Sequence, residues 1–127
     1  SKKILFSETS LGGKNLSSGV TNIDKNTRQG IKMFTLPEKC AWFSDDRTII
    51  CGAINADKSS NYIMPDDYYK GKIKLLSEDV LKINLDTGQT QKLISGVFNA
   101  YNMFLSKDEA YLFFINKIDG RLYRLTL

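Results

Sequence analysis

Short runs of alternating apolar and polar residues, separated by turn-forming residues, occupy most of the chain. The run 79–85 alternates in this way, and the run 121–127 does so again. Further runs rich in aromatic and β-branched residues lie at 2–8, 40–44, 47–54, 90–94, 100–106 and 109–116. A period of two is typical of strands, and only 69–82 approaches helical spacing, with Gly71 interrupting it. The sequence therefore predicts an all-β protein of antiparallel strands with no long helix.

Two stretches of the chain carry the same order of apolar and turn positions. When Asp46 is placed on Asp108, the apolar positions around them coincide. Further along, 79–85 matches 121–127, and these segments are separated by fewer residues than Asp46 and Asp108 are. Because a repeat keeps a fixed period, the difference between the two spacings predicts an insertion of about 20 residues within 55–78 of the first copy. The remaining period of about 40–45 residues is typical of propellers built from four-stranded blades.

The quoted residues resemble a known repeat. The segments AWFSDDRTIICGAI and EDVLKINLDTGQTQKLI resemble the TolB-like, or WD-type, β-propeller repeat, with Ser44–Arg47 and Ser106–Glu109 in place of its Ser-Pro-Asp-Gly turn. The resemblance implies a binding scaffold, or a gating domain beside a hydrolase, in an extracytoplasmic location. The repeat divides the chain into a half blade at 1–24, a blade carrying the insertion at 25–85 and a blade at 86–127.

An incomplete propeller has faces that another sheet must cover. A closed propeller needs at least four blades, so the chain is expected to be part of a longer propeller or to complete one by oligomerisation. Self-association through the open blade faces is the first expectation for partners. The alternative is that polar residues already cap the outer faces, as in terminal repeats.

Composition removes several classes of function. The chain has no histidine, which excludes Ser-His-Asp and Cys-His centres, and its two cysteines are too few for a Cys₄ metal site. No phosphate-cradling glycine loop is present, so neither a catalytic residue nor a metal or other cofactor is predicted. The net charge of +4 is scattered, and nucleic-acid binding is not expected. No apolar run is long enough to be a membrane segment.

The insertion carries the candidate binding residues. Tyrosine-rich loops flanked by charge are common at binding surfaces, since tyrosine adds contact area at low entropic cost. The competing interpretation is that these tyrosines pack against their own blade, and that Asp66 and Asp67 form a turn rather than a calcium site. We expect the segment to project from its blade and to be dispensable for folding. The candidate residues are Tyr62, Asp66, Asp67, Tyr68, Tyr69, Lys70 and Lys72.

The two cysteines are placed opposite each other by the predicted hairpin. If Asp45 and Asp46 form its turn, Cys40 faces Cys51 within reach of a disulfide. Two buried free thiols are the alternative and the one we favour from the sequence, because a longer turn over Ser44–Arg47 changes the register.

The function predicted from these features is a non-catalytic propeller module that binds a protein or another macromolecule. A carbohydrate-binding propeller completed by oligomerisation is one alternative, in which exposed aromatic rings stack on sugars. The accessory propeller of a larger serine hydrolase is another, with the catalytic domain outside this chain.

Overall fold

Ten strands form three antiparallel sheets in the computed structural model, which describes residues 2–56 and 61–127. The strands are β1 (Lys3–Ser10), β2 (Lys14–Asn22), β3 (Thr27–Ile31), β4 (Cys40–Trp42), β5 (Thr48–Ala56), β6 (Leu75–Asn84), β7 (Thr90–Gly96), β8 (Ala100–Leu105), β9 (Tyr111–Asn116) and β10 (Arg121–Thr126). A 3₁₀ turn covers Pro37–Lys39, and one short helix, α1, covers Asp66–Tyr69. The expected all-β, antiparallel architecture is confirmed.

The sheets follow one another along the chain. Sheet I contains β1–β3, sheet II contains β4–β7 and sheet III contains β8–β10, each in sequential order. Among the described strands, four belong to sheet II and three to each of the others. The repeat predicts that the half blade ends at residue 24. This boundary falls inside the β2–β3 hairpin, where Asn22 pairs with Thr27. Strand pairing thus places β3 in the same sheet as β1 and β2, because a tight turn makes β2 and β3 immediate neighbours.

The internal repeat corresponds to matching strands of adjacent sheets. Asn22 and Asn84 each end a strand, and the side-chain oxygen of each accepts amides of the following turn, from Lys25 at 3.1 Å and from Asp86 at 2.9 Å. The β4–β5 and β8–β9 hairpins also correspond. In their turns, however, the counterpart of Asp108 is Asp45 and not Asp46.

Hydrogen bonds and backbone angles establish that correction. The carboxylate of Asp45 accepts the amide of Arg47 at 3.0 Å, and that of Asp108 accepts the amide of Ala110 at 3.2 Å. The next residues, Asp46 and Glu109, have φ of 59° and 58°. Placing Asp46 on Asp108 is therefore one residue out in this turn, because Asp108 lies 24 residues after Asn84 whereas Asp45 lies 23 residues after Asn22.

Sheet II forms the middle layer of the stack. One of its faces packs on sheet III through a cluster of Ala41, Ile50, Val80, Ala100, Met103, Leu112 and Phe114. The other face packs on sheet I through Val20, Ile49, Cys51, Ile83 and Leu85. Because β5 lies between both clusters, both sides of that strand are buried from Thr48 to Ile54. This explains why 49–54 is a continuous apolar run and not an alternating one.

Residues 61–74 of the insertion lie across one end of the three sheets, which we call the loop end. At this end the β1–β2 turn, the segment 61–74 and the β9–β10 turn meet, and the amide of Met64 donates to the carbonyl of Gly13 at 2.9 Å. A third cluster of Leu36, Ile54, Met64, Tyr68 and Ile73 is buried beneath it. The expectation of a projecting segment is therefore wrong, because Met64, Tyr68 and Ile73 give the insertion an apolar side that has to be covered.

The two cysteines lie opposite each other in neighbouring strands. Cys40 in β4 pairs with Cys51 in β5, with Cα atoms 4.1 Å apart, and the sulfur atoms are bonded. The register is the one that the hairpin turn predicts, and the structure has a disulfide in place of two free thiols.

Reduction of this disulfide is predicted to lower stability. Closing a loop of 11 residues is worth about 3 kcal/mol in the chain-entropy model. We expect dithiothreitol to lower the free energy of unfolding by about that amount, measured by urea titration. The Cys40→Ala/Cys51→Ala variant serves as the control and should be insensitive to dithiothreitol; equal sensitivity of both proteins would contradict the assignment.

Candidate partner-binding surface

A fully buried ion pair lies beneath the loop end. Lys39 ends the 3₁₀ turn before β4, and Glu78 lies in β6; both side chains have no exposed area. Lys39 Nζ lies 2.8 Å from Oε2 of Glu78. Among the described residues no hydrogen bond reaches this oxygen, so the Lys39 ammonium compensates its charge as an ion pair. The pair joins two elements that are separated in sequence by all of β4 and β5 and by the insertion.

Lys39 and Glu78 also form hydrogen bonds with the residues that lead into β8, Asn99 and Ala100. Lys39 Nζ donates to the carbonyl of Ala100 and to the side-chain oxygen of Asn99 at 3.0 Å. The amide of Ala100 donates to Oε1 of Glu78 at 3.1 Å. The hydroxyl of Tyr68 donates to the same Asn99 oxygen. Sheet II, the start of sheet III and the insertion are thereby connected through one polar network.

Burial opposes the charge on both partners. Desolvation lowers the pKa of Lys39 and raises the pKa of Glu78, and the attraction between the two groups opposes each shift. The nearby ammonium of Lys117 lowers the pKa of Lys39 further. A buried pair of this kind requires close geometry, since neither charge is hydrated.

Gly52 leaves the space that Glu78 occupies. A Cβ atom at position 52 would overlap Oε1 of Glu78 and would lie 3.1 Å from its Cδ. Gly52 also has its carbonyl bonded by the hydroxyl of Thr35 at 2.7 Å. The carboxylate of Glu78 therefore fits over β5 because position 52 has no side chain.

Above this network, three tyrosine rings surround one ammonium group. Lys117 Nζ lies 4.9 Å from the ring centre of Tyr68, 5.5 Å from that of Tyr69 and 4.8 Å from that of Tyr101. These rings come from α1 and β8, and Lys117 begins the β9–β10 turn. Cation–π attraction thus holds the insertion against sheet III.

Tyr69 is the exposed member of this group, yet several contacts hold its ring. Its hydroxyl donates to Glu38 at 2.6 Å, and its ring packs edge-on against Tyr68 with centres 5.6 Å apart. The hydrogen bond to Glu38 raises the pKa of Tyr69 to about 12. The side chain is nevertheless 56% exposed. It therefore presents a neutral, oriented aromatic surface to solvent.

A shallow groove of about 290 Å³ runs beside Tyr69 towards sheet I. Its apolar lining comes from Leu16, Leu36, Pro37 and Pro65, and its carboxylates are Glu8 and Glu38. We call the groove, Tyr69, Lys70, Tyr101 and Lys117 the loop-end surface.

The structure separates the sequence candidates into packed and exposed residues. Tyr68 is buried, and Tyr62 packs against the third cluster with its hydroxyl bonded by the amide of Lys74 at 3.3 Å. Asp67 accepts the amide of Ile63 at 2.8 Å, as expected of a carboxylate in a turn. The side chains left in solvent are those of Asp66, Tyr69, Lys70 and Lys72. The part of the insertion at 57–60 lies outside the described residues.

Several residues of the site have no signal in the sequence. Lys39, Glu78 and Asn99 resemble ordinary surface residues there, since nothing in the local pattern distinguishes a buried charge from a solvated one. Tyr101 and Lys117 fall in a predicted strand and a predicted turn, with no feature that gives them a role. Their proximity to α1 depends on how the insertion folds over the sheets.

Neither a metal site nor a membrane helix is found in the described ranges. No three His, Cys, Asp or Glu side chains of residues 2–56 and 61–127 are grouped to hold a metal ion. No helix in these ranges is long and apolar enough to cross a bilayer.

Comparison with known proteins identifies the architecture. No family model and no curated protein sequence matches the chain. The β-propeller domain of the Trilobed protease from Pyrococcus furiosus, which has an open velcro topology, is similar in structure: TM-score 0.59, 13% identity, 99% of this chain and 36% of that chain. TolB from Acinetobacter baumannii is also similar: TM-score 0.54, 16% identity, 99% of this chain and 30% of that chain. The three sheets are thus β-propeller blades, and the chain spans about a third of each similar structure.

Removing one partner of the buried pair is predicted to be strongly destabilising. Lys39→Met leaves the carboxylate of Glu78 buried without a cation, which costs about 3–5 kcal/mol. The control is Arg28→Met, which removes an exposed pair with Glu8 at the same 2.8 Å and costs about 0–1 kcal/mol. Urea unfolding measures both variants, and the double variant Lys39→Met/Glu78→Gln should recover part of the loss. Equal effects of Lys39→Met and Arg28→Met would contradict the role of the pair.

The space at Gly52 gives a second prediction. Gly52→Ala forces Glu78 to move and should lower the free energy of unfolding by about 1–3 kcal/mol. Gly30→Ala in β3, where an added Cβ meets nothing within 4 Å, is the control and should stay within about 0.5 kcal/mol of the wild type. Thermal unfolding of the two variants checks the difference, and an unchanged Gly52→Ala protein would contradict it.

Proposed function

We propose that this chain is a non-catalytic β-propeller module that binds a protein partner through the loop-end surface. The observation that carries the proposal is Tyr69, whose ring is exposed and yet oriented by Glu38, Tyr68 and Lys117. An aromatic side chain that is already ordered loses little conformational entropy when it binds, which favours its use as an anchor.

The groove beside Tyr69 supports a protein as the ligand. Leu36 and Pro65 offer apolar contact, and the acidic residues of the lining are Glu8, which is paired with Arg28, and Glu38, which accepts the Tyr69 hydroxyl. Lys117, with its ammonium 5.5 Å from the ring centre of Tyr69, and the exposed Lys70 next in the chain offer positive charge. A polypeptide segment with an apolar side chain flanked by charges of both signs matches this arrangement, as at other interfaces with an apolar centre and polar rim.

The tyrosines of the surface support binding more than acid–base chemistry. With its pKa raised to about 12, the phenol of Tyr69 keeps its proton at physiological pH. Burial raises the pKa of Tyr68 as well. Neutral phenols contribute contact area and hydrogen bonds, and the proposal assigns them no other role.

An extracytoplasmic location forms part of the proposal. The Cys40–Cys51 disulfide supports it, because disulfides persist mainly in oxidising compartments.

Carbohydrate binding is the second candidate, favoured by the same exposed ring. Tyr69 lies beside the carboxylates of Glu8 and Glu38, an arrangement suited to stacking on a sugar while accepting hydrogen bonds from its hydroxyl groups. A glycan array separates the two candidates, since sugar binding that is lost in Tyr69→Ala would replace the protein-binding proposal. A role as the accessory propeller of a hydrolase is supported by the likeness to a protease's propeller domain.

Capture from an extract of the source organism tests the proposal. We expect the immobilised chain to retain a partner, and Tyr69→Ala to weaken that retention about tenfold or more, as loss of an aromatic anchor does. Quantitative mass spectrometry of the retained proteins provides the measurement.

The matched control is Lys107→Ala, which changes an exposed residue in the β8–β9 turn at the other end of sheet III. This variant should retain the same partner as the wild type. Identical retention by Tyr69→Ala and the wild type would contradict the proposal.

A further inference from the structure

The three tyrosine rings around Lys117 have the form of a cation-binding cage, and we call Tyr68, Tyr69 and Tyr101 the cage. The Lys117 ammonium lies 4.8 Å, 4.9 Å and 5.5 Å from the three ring centres. Cation–π contacts occur about once per 70–80 residues in proteins, so three on one ammonium are a local concentration of them. Two of the rings come from α1 and one from β8.

Each ring of the cage is held by contacts that do not involve the lysine. The hydroxyl of Tyr68 donates to Asn99, and that of Tyr69 donates to Glu38 at 2.6 Å. The rings of Tyr68 and Tyr69 pack edge-on with centres 5.6 Å apart. Tyr101 is fixed by its position in β8, which is paired with β9. The shape of the cage is therefore set without its present occupant.

The ammonium of Lys117 is held by the rings alone within residues 2–56 and 61–127. None of the ion pairs in these ranges includes Lys117. A lysine ammonium has three N–H donors, and no oxygen of the described residues accepts one of them here. The residue is exposed and begins the β9–β10 turn, so its long side chain has solvent to move into.

The charges around the cage favour a cation after the lysine withdraws. Lys39, whose ammonium lies 5.6 Å from the ring centre of Tyr68, is compensated by Glu78 at 2.8 Å. Glu38 adds a further carboxylate at the hydroxyl of Tyr69. Burial raises the pKa of Tyr68, and the carboxylates of Glu78 and Glu38 raise this pKa further, as expected of a negative potential at the ring.

The distances from the nitrogen to the rings suit an ammonium that carries methyl groups. An N–C bond is about 1.45 Å long and carbon atoms in contact lie about 3.5–4.0 Å apart, so a methylated nitrogen rests about 5 Å from a ring. An N–H bond is shorter, so a primary ammonium in direct contact lies nearer to the ring. A quaternary ammonium also has no N–H donor that needs an acceptor. The spacing and the lack of acceptors therefore match a trimethylammonium group better than a lysine.

We propose that the cage binds a quaternary trimethylammonium group and that Lys117 is its displaceable occupant. When the ligand enters, the lysine side chain moves into solvent, where water accepts its N–H donors. The group belongs to a free choline-type compound or to a trimethylated lysine of a polypeptide, since both present the same chemistry. The cage can take this group whether or not the loop-end surface also binds a protein, and purified compounds therefore test it.

Isothermal titration calorimetry with choline tests the cage. We expect the wild type to bind choline, and Lys117→Ala to bind it about tenfold more tightly, because the competing ammonium is gone. The control is Lys107→Ala, the same change at an exposed lysine of the β8–β9 turn, which should bind as the wild type does. The neutral analogue of choline, in which a tert-butyl group replaces the trimethylammonium, should bind about tenfold or more weakly than choline because it lacks the charge.

Two substitutions of one ring separate cation binding from a structural effect. Tyr101→Phe keeps the aromatic face and should bind choline as the wild type does, whereas Tyr101→Leu removes this face and should weaken binding about tenfold. Circular dichroism verifies that each variant is folded. Absence of binding to the wild type, equal affinity for choline and its neutral analogue, equal affinities of the two Tyr101 variants, or no gain in Lys117→Ala would each overturn the proposal.

A pair of peptides distinguishes the two sources of the group. A short peptide that carries trimethyllysine is compared with the same peptide carrying unmodified lysine and with free choline. Tighter binding of the trimethylated peptide than of choline assigns the cage to a modified polypeptide, and the reverse order assigns it to a small choline-type ligand; either order supports the cage. Equal binding of the two peptides, with choline binding no more tightly than they do, would overturn the preference for a quaternary ammonium.

Discussion

The structure depends on the requirement that an apolar sheet be covered on both faces. Sheet II meets it completely, since sheet III covers Val80 and sheet I covers Ile83. Within residues 2–56 and 61–127, each outer sheet meets this requirement on one side. The burial of β5 on both sides, the stacking order and the two open faces all follow from this constraint, because apolar area removed from water is the main favourable contribution to folding.

The loop end is arranged by a different interaction, the ion pair between Lys39 and Glu78. Neither group is exposed, so each needs partners in fixed positions. Gly52 provides the space, Asn99 and Ala100 provide the hydrogen bonds, and α1 closes the site through Tyr68. Tyr68 also contacts Lys117, which connects this buried network to the rings of Tyr69 and Tyr101.

The loop-end surface and the outer faces of the stack are largely different parts of the molecule. The loop-end surface lies across the ends of the strands, while the open faces are the flat sides of sheets I and III. Tyr101 lies at the edge where the two regions meet. The blade geometry supplies a rigid support for the insertion, which is how function is commonly added to a repeated architecture.

The sequence by itself determined the strands, the repeat, the opposition of Cys40 and Cys51 and the place of the insertion. These features are local: alternation follows the period of a strand, and the turn at Asp45 sets which residues face each other. Tyr69 and Lys70, which the structure leaves exposed, are also candidates that the sequence alone selects. Only the tertiary structure decided that Tyr68 is buried, that Lys39 and Glu78 form a pair, and that Tyr101 and Lys117 meet α1. Those contacts join residues far apart in the chain, and whether a lysine or a tyrosine is solvated depends on which distant segment covers it.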